Sequence, residues 1–135
     1  MKPNRNRYRA WDEKHGVMIG WDELTSPSGW NCTLGILTNP TMHHLTFLQS
    51  TGTADENDVE MYAGDIVRFV TFDFNDNDTA YIGKLVREDT VFTIHSFEKD
   101  GCFGSDGPFD LCWVHSQDDT MTVIGNIYEN PELLD

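Results

Sequence analysis

Histidine and cysteine side chains are the groups in this sequence that could hold a transition metal. Zinc sites use such ligands in closely spaced pairs, but the chain has neither a Cys-x-x-Cys nor a His-x-x-x-His pair. On a strand, the adjacent His43 and His44 would point to opposite faces, and so would Cys112 and His115. We therefore predict neither a metal nor another cofactor, and buried thiols of structural character. The residues weighed for metal binding are Cys32, His43, His44, His95, Cys102, Cys112 and His115.

An acidic loop invites comparison with a calcium-binding EF-hand. Asp73, Asn75 and Asn77 occupy the first three ligand positions of that motif. The sixth position requires glycine but holds Asp78, and the twelfth requires a bidentate glutamate but holds Lys84. Because the oxygen ligands of calcium cannot be assembled here, the loop is interpreted as a solvated turn.

A nucleophilic active site is not indicated either. Residues 104–107 (Gly-Ser-Asp-Gly) lack the first glycine of a nucleophile elbow, because position 103 is phenylalanine. Cys102 lies in an acidic region, which disfavours the thiolate that a reactive cysteine needs. Glycine-rich phosphate-binding motifs are absent from the sequence. We predict that the protein is not an enzyme and has no catalytic residues.

Charge is distributed unevenly along the 135 residues. Residues 1–14, the basic arm, carry five basic and two acidic side chains, a net charge of +3. Residues 15–135, the acidic body, carry four basic and 21 acidic side chains, a net charge of −17, which leaves the chain at −14. Such a body repels nucleic-acid phosphates across the Debye length of about 8 Å at physiological salt. Nucleic-acid binding is therefore not expected, except through the arm.

The composition is that of a compact globular protein. Hydrophobic residues make up 39% of the chain, so the acidity belongs to a surface and not to a disordered polyelectrolyte. Residues 25–54 contain no charged side chain, but two prolines and ten Ser or Thr residues exclude a membrane-spanning helix. No signal-peptide pattern opens the sequence, and its three cysteines are not closely spaced. We expect a cytoplasmic protein with reduced thiols and no membrane partner.

The first 21 residues have the pattern of a β-hairpin. Arg5, Arg7, Arg9 and Trp11 recur at every second position, as side chains on one face of a strand do. A polar turn ending in Gly16 then leads into a short apolar strand. Because two strands alone are marginally stable, this hairpin must pack on the rest of the chain or on another subunit.

The clearest strand signal lies at residues 62–72, where Gly64 and Asp65 open a β-branched and aromatic run. Glycine tolerates φ > 0 and aspartate can bond nearby backbone N–H groups, so the pair fits a tight turn that leads into a strand. An acidic loop at residues 55–60, interpreted as solvated, precedes it. The other predicted elements are a helical turn at 22–24 and strands at 32–38, 44–49, 81–86, 91–97, 109–114 and 121–128.

Short strands separated by Gly-, Asp- and Asn-rich turns, without a long amphipathic helix, predict a mainly β fold built as a small barrel or a sandwich. In the last predicted strand Gly125 shares a face with Met121 and Val123, where a glycine marks a bulge or a sharp bend. Asn130 followed by Pro131 then has the pattern of a helix start with Asn as its cap.

Tryptophan is concentrated at the start of the chain, in a hairpin region too small to bury several indoles. Some of these side chains are therefore expected in a contact between domains or between subunits. The candidate interface consists of the arginines and tryptophans of this region: Arg5, Arg7, Arg9, Trp11, Trp21 and Trp30.

Several stretches together resemble the YopX family of phage and prophage proteins. They are residues 7–12 (Arg-Tyr-Arg-Ala-Trp-Asp), Met18 with Trp21, residues 48–52 (Leu-Gln-Ser-Thr-Gly), residues 62–67 (Tyr-Ala-Gly-Asp-Ile-Val) and residues 123–131 (Val-Ile-Gly-Asn-Ile-Tyr-Glu-Asn-Pro). The resemblance implies an SH3-like β-barrel in the later part of the chain and a phage origin, and supplies no catalytic residues. The sequence departs from the family pattern at Asn57-Asp58, where Asn-Gly is usual.

With this resemblance, the prediction is a mainly β protein with an SH3-like small barrel and an N-terminal β-hairpin and extension. Residues 1–54 would form the hairpin and an uncharged extension used for docking or oligomerisation, and residues 55–135 the barrel.

The leading functional hypothesis is a non-enzymatic phage accessory protein, an interaction or assembly module that self-associates. The basic arm of one subunit would complement the acidic body of the next, and a host or phage protein is a further possible partner. The alternative is an acidic DNA mimic that inhibits a host nucleic-acid-binding protein. A small hydrolase is a third hypothesis, which requires converging His, Cys and carboxylate side chains.

Overall fold

The computed structural model describes residues 7–24, 45–72, 78–88, 91–103, 108–117 and 121–134. The strands there are β1 (Tyr8–Asp12), β2 (Val17–Ile19), β3 (Leu45–Ala54), β4 (Glu60–Tyr62), β5 (Asp65–Phe72), β6 (Asp78–Glu88), β7 (Val91–Lys99), β8 (Cys102–Phe103), β9 (Phe109–Asp110) and β10 (Thr122–Asn126). The helices are α1 (Trp21–Leu24), α2 (Leu111–Gln117) and a 3-10 helix (Pro131–Leu134). Within these ranges no helix is long and apolar enough to cross a membrane.

A four-stranded antiparallel sheet with the order β2-β1-β3-β4 contains the N-terminal strands. The predicted hairpin is confirmed, because β1 pairs with β2 and the turn between them ends at Gly16, which has a φ of 65°. The Asp12 carboxylate accepts a hydrogen bond of 3.1 Å from the backbone N–H of His15 and so closes this turn. On its other side β1 pairs with β3 from Tyr8 to Asp12. The hairpin therefore packs on its own chain, one of the two expected outcomes.

The second sheet has six strands, in the order β10-β5-β6-β7-β8 with β9 also paired to β7. Its centre is formed by the long strands β5, β6 and β7, which are rich in β-branched and aromatic residues. The sheet curls into a half-barrel. The mainly β class is confirmed, and the curled sheet agrees with the predicted small barrel.

The main hydrophobic core lies between the second sheet and α2. Phe69 and Tyr81 stack there with ring centroids 5.4 Å apart, and Phe109 meets Phe69 edge-on at 5.5 Å. A smaller cluster of Ala10, Ile19 and Leu45 belongs to the N-terminal sheet. The buried members of the main core are Met61, Val67, Phe69, Tyr81, Leu85, Phe92, Ile94, Leu111, Val114 and Met121.

The acidic loop before β4 connects the two sheets through hydrogen bonds of Asp55. Asp55 Oδ1 accepts hydrogen bonds of 2.9 Å from the backbone N–H groups of Asn57 and Val59, and Oδ2 accepts one of 2.9 Å from Val123 in β10. Asp55 is only 7% exposed, so the interpretation of the whole loop as solvated is wrong at this residue. β3 also pairs with β4 across the predicted boundary between residues 54 and 55, and the division there stays a prediction.

The prediction of a strand at residues 109–114 is wrong after its first two residues. Asp110 Oδ1 accepts a hydrogen bond of 3.2 Å from the backbone N–H of Trp113, which is the geometry of a helix N-cap. Leu111 and Val114, three residues apart, are both buried, as the apolar face of a helix requires. The chain therefore turns from β9 into α2, and the cap is the local signal that distinguishes this helix from a strand.

Most of the remaining predicted elements are confirmed. The helical turn at 22–24 is part of α1. The strands predicted at 81–86 and 91–97 correspond to the longer β6 and β7, and the strand predicted at 44–49 corresponds to β3 from residue 45 onward. The strand predicted at 32–38 lies outside the described residues.

The predicted irregularity at Gly125 is also confirmed. The pairing of β10 with β5 shifts register between Val123 and Gly125, as a bulge does. A helix does begin at Pro131, but it is a 3-10 helix. The side-chain oxygen of Asn130 accepts a hydrogen bond of 3.2 Å from the backbone N–H of Asn126, on the side away from that helix.

Candidate functional site

Arg9 in β1 and Arg7, which directly precedes β1, form ion pairs with the acidic body of the same chain. Arg9 Nη2 lies 2.5 Å from Asp65 Oδ1, and Arg7 Nη1 lies 3.1 Å from Glu60 Oε1. Arg7 and Arg9 are two residues apart, and the Arg7 carbonyl still accepts a hydrogen bond from the Ser50 N–H of β3, so both side chains lie on the same side of the sheet. Glu60 also accepts a hydrogen bond from the Ser50 hydroxyl. The cationic face predicted for the hairpin is therefore directed, at these two positions, to partners within the chain.

Asp65, the second residue of the Gly-Asp turn, is the most enclosed member of this cluster. Its side chain is 2% exposed, and its Oδ2 accepts a hydrogen bond of 2.8 Å from the backbone N–H of Tyr62. Burial raises the pKa of Asp65, and the positive charge of Arg9 together with the Tyr62 hydrogen bond offsets part of that rise. The Arg9 guanidinium carbon also lies 4.7 Å from the centroid of the Tyr62 ring, a cation–π contact. Burial, followed by the negative charge of Glu60, raises the pKa of Tyr62.

An aromatic stack lies beside the ion pairs. Trp11 of β1 stacks on Tyr128 with ring centroids 5.6 Å apart. Gly64 lies against Tyr128, because a Cβ at position 64 would be 3.1 Å from Tyr128 Cε2. The Gly64 N–H donates a hydrogen bond of 2.8 Å to the Leu85 carbonyl, and its own carbonyl accepts one of 2.9 Å from the Ile127 N–H. Glycine is needed here for the φ of 91° and for the close approach of the ring.

The last resembling stretch, residues 123–131, forms the corner that positions Tyr128. Asn126 Oδ1 accepts hydrogen bonds from the backbone N–H groups of Tyr128 and Glu129 at 3.0 and 2.8 Å. Asn126 Nδ2 donates one of 2.9 Å to Glu129 Oε1. A Cβ on Gly125 would lie 2.6 Å from Asn130 Oδ1, so the same corner also requires a glycine. The motif is thus an architectural unit that joins the C-terminal segment to β1.

The structure brings together the described members of the candidate interface. Arg9 and Trp11 lie in β1, Arg7 directly precedes that strand, and Trp21 shares a cleft with Arg7. The ion pairs and the stack show that three of them make contacts within the chain. Arg5 and Trp30 lie outside the described residues, and the intersubunit role of the set stays a prediction.

The cleft shared by Arg7 and Trp21 has a volume of about 300 Å³. Its walls contain three carboxylates and one guanidinium, a formal charge of −2, together with the rings of Trp21 and Tyr62. Acidic and aromatic groups in one concave site suit a cationic ligand. The residues lining this cation-type cleft are Arg7, Gly20, Trp21, Asp22, Asp58, Glu60 and Tyr62.

A second surface, at α2, was not predicted from the sequence. Trp113 is 45% exposed, and its ring stacks on Phe109 with centroids 6.3 Å apart and an interplanar angle of 4°. The start of the same helix borders a mainly apolar cleft of about 270 Å³. We call Trp113, Phe109 and this cleft the α2 surface. The residues lining the cleft are Thr51, Thr53, Val91, Phe92, Asp110, Leu111 and Cys112.

The α2 surface was missed because residues 109–114 were assigned to a strand. In that assignment Trp113 and Phe109 fall on one face, but Leu111 shares it, so the set resembles an ordinary core strand. The cap at Asp110 would have revealed a helix with Leu111 and Val114 inward and Trp113 outward.

The structure tests the prediction of buried thiols at Cys102 and Cys112. Among the described residues, no group of three His, Cys, Asp or Glu side chains is arranged to hold a metal ion. Cys102 and Cys112 are free and exposed, so the prediction of buried thiols is wrong for both. Cys112 and His115 belong to α2 and not to a strand, and the His115 ring nitrogen Nε2 lies 3.2 Å from the Ala54 carbonyl oxygen. Cys32, His43, His44 and the loop at 73–77 lie outside the described residues.

Comparison with known proteins identifies a family and a solved structure of similar fold. The YopX family model, described as YopX protein, matches residues 7–135. The crystal structure of protein EF1440 from Enterococcus faecalis is similar, with a TM-score of 0.58 and 24% sequence identity, over 96% of this chain and 97% of that chain. At this identity the likeness shows a shared fold. No curated protein matches the chain in sequence.

Proposed function

The chain belongs to the YopX family, and on that premise we propose that it is a phage accessory protein, a protein-interaction or assembly module that associates with copies of itself inside the bacterial host. The observation that carries this proposal is the α2 surface, where a 45% exposed tryptophan stands on the helix that borders an apolar cleft. Tryptophan is enriched among the residues that dominate binding energy at interfaces, and those residues fill pockets on the partner.

The α2 surface can pair with itself. A two-fold axis makes the same patch face itself in both copies, so a projecting group on one copy can enter a cavity on the other. The 45% exposed side chain of Trp113 would be that group, and the cleft edged by Val91 and Leu111 would be that cavity. Val91 is 46% exposed, so its burial would add apolar area to the contact.

The charges favour an apolar contact over the intersubunit charge pairing expected from the sequence. Arg7 and Arg9 already bind Glu60 and Asp65 of their own chain. Two copies with a formal charge of −14 each repel one another, and salt screens that repulsion. Association through the α2 surface should therefore persist or strengthen as salt is added.

Sedimentation velocity of matched variants tests the role of the α2 surface. Trp113→Ala should shift the protein to monomer, and Val91→Lys should do so by placing a charge at the rim of the cleft. Val17→Ala is the control, because Val17 is 48% exposed and lies on the β2 hairpin, away from α2. A Trp113→Ala protein that associates as strongly as the control would exclude this surface.

The acidic body also supports a second candidate, a DNA mimic that occupies a host nucleic-acid-binding protein. Its supporting observation is the net charge of −17 over residues 15–135. Capture of a DNA-binding host protein that is displaced by duplex DNA would support this function. Capture that neither duplex DNA nor salt reverses would argue against it.

A further inference from the structure

The cation-type cleft has the composition of a recognition site for a guanidinium group. Among the described lining residues, Asp22, Asp58 and Glu60 contribute carboxylates and Arg7 contributes a guanidinium. Arg7 forms an ion pair with Glu60, and the three carboxylates leave this part of the lining with a formal charge of −2. At about 300 Å³ the cleft can admit one long side chain while leaving its neighbours in solvent.

Next to this cleft, an arginine of the chain itself is already bound by an aromatic ring and a carboxylate, the same kinds of group that line the cleft. The Arg9 guanidinium lies against the ring of Tyr62 and is bonded to Asp65. Tyr62 is also a wall of the cleft, where Trp21 supplies a second ring. A planar guanidinium stacks on such rings and binds carboxylates with its fork of N–H groups, whereas an ammonium is a more strongly hydrated point charge.

We propose that this cleft binds the side chain of an arginine in an exposed segment of a partner protein. The inference rests on the proposed role as an interaction module but not on self-association, because the described lining residues all belong to one chain. The cleft is separate from the α2 surface. Its proposed partner is a basic segment whose arginine enters between Trp21 and Tyr62 and faces Asp58.

The test is an NMR titration of the full-length protein with a short peptide, acetyl-Gly-Arg-Gly-amide. We expect saturable shifts of the Trp21 indole N–H and the Gly20 amide. The same peptide with glutamine in place of arginine should leave both signals unchanged. The lysine peptide should bind more weakly than the arginine peptide because it lacks the planar fork.

Two matched variants separate the cleft from general acidity. Asp58 and Asp100 are exposed and have positive φ values, 62° and 50°, a region that asparagine also tolerates. Asp58→Asn should weaken arginine-peptide binding by about threefold to fivefold, the expected size for one exposed ion pair. Asp100→Asn should leave the affinity unchanged, because Asp100 lies in the β7–β8 turn outside the cleft.

Equal shifts with the glutamine peptide, or equal weakening by the two variants, would overturn the inference. Saturable binding by a protein that sedimentation shows to be monomeric would uphold it while removing the proposed self-association. Self-association without peptide binding would overturn the arginine site and leave the proposed self-association in place.

Discussion

At the scale of single residues, the ion pair between Arg9 and Asp65 decides how the basic arm is held. Removing one partner of a buried pair leaves an uncompensated charge, which costs about 3–5 kcal/mol. The Asp65 side chain is buried, at 2% exposed, and the Arg9 side chain is partly buried, at 14% exposed, so the carboxylate is the charge that loss of Arg9 would leave uncompensated. Arg9→Met should therefore lower the free energy of unfolding at neutral pH by about 3–5 kcal/mol, measured by urea denaturation.

A double variant at Arg9 and Asp65 shows whether that loss of stability comes from the carboxylate left without its cationic partner. Adding Asp65→Asn to Arg9→Met removes the buried charge and should restore most of the lost stability. The amide oxygen of the introduced asparagine can still accept the hydrogen bond from the backbone N–H of Tyr62, so the turn keeps its bond. If the double variant is no more stable than Arg9→Met, the loss comes mainly from packing of the Arg9 side chain on Tyr62.

A pH dependence follows from the raised pKa of Asp65. Because burial lifts it above the ordinary value of 3.8, the folded chain binds more protons than the unfolded chain in the window above 3.8. The contribution of Asp65 to stability is then complete below that ordinary value and is lost as the pH rises through the folded pKa. The stability advantage of the native protein over Asp65→Asn should therefore shrink as the pH rises from below 3.8 through the folded pKa of Asp65. A difference that grows with pH would mean that attraction by Arg9 exceeds the effect of burial.

At the scale of elements, local signals predicted the turns and strands but not what their side chains contact. Gly64 and Asp65 were identified as a turn entering a strand, and the structure confirms this. Their partners, Tyr128 and Arg9, lie about 60 residues away in sequence on either side. Such contacts depend on how the sheets assemble, and neither spacing nor propensity encodes them.

The failure at α2 has a different cause. A short run with apolar residues at 109, 111 and 114 fits a buried strand and a helix equally well by periodicity. The choice is made by the cap at Asp110 and by the core that covers Leu111 and Val114. Trp113 could therefore be recognised as a surface residue only once this segment was known to be a helix.

Two glycines with positive φ give a matched test of the Gly-Asp turn. Gly64→Ala must place a Cβ at φ 91° and 3.1 Å from Tyr128, whereas Gly16→Ala has φ 65° and no atom within 4 Å of the new Cβ. Backbone strain alone costs about 1–2 kcal/mol, so that is the expected loss for Gly16→Ala. Gly64→Ala should lose more, and thermal unfolding measures both. Equal losses would show that Tyr128 moves aside without cost.

At the scale of the whole molecule, ion pairs within the chain use basic side chains and leave an excess of acidic ones. The basic arm is neutralised at Arg7 and Arg9 by Glu60 and Asp65, which leaves the surface strongly acidic. The sequence alone supported the mainly β class and the acidic body. The candidate interface predicted from the sequence lies at residues 5–30, whereas the exposed tryptophan that supports self-association lies on α2. The reason is that burial of the arginines depends on acidic partners distant in sequence.

The salt dependence of assembly tests the proposed self-association most directly. Multi-angle light scattering of the full chain should give a mass above the monomer mass of 15.4 kDa at low salt. The mass should be retained or increased between about 0.05 M and about 0.5 M NaCl, because screening reduces repulsion between acidic copies. Trp113→Ala should give the monomer mass at both salt concentrations. A native protein that is monomeric at both, or an assembly that dissociates as salt is added, would contradict association through the apolar α2 surface.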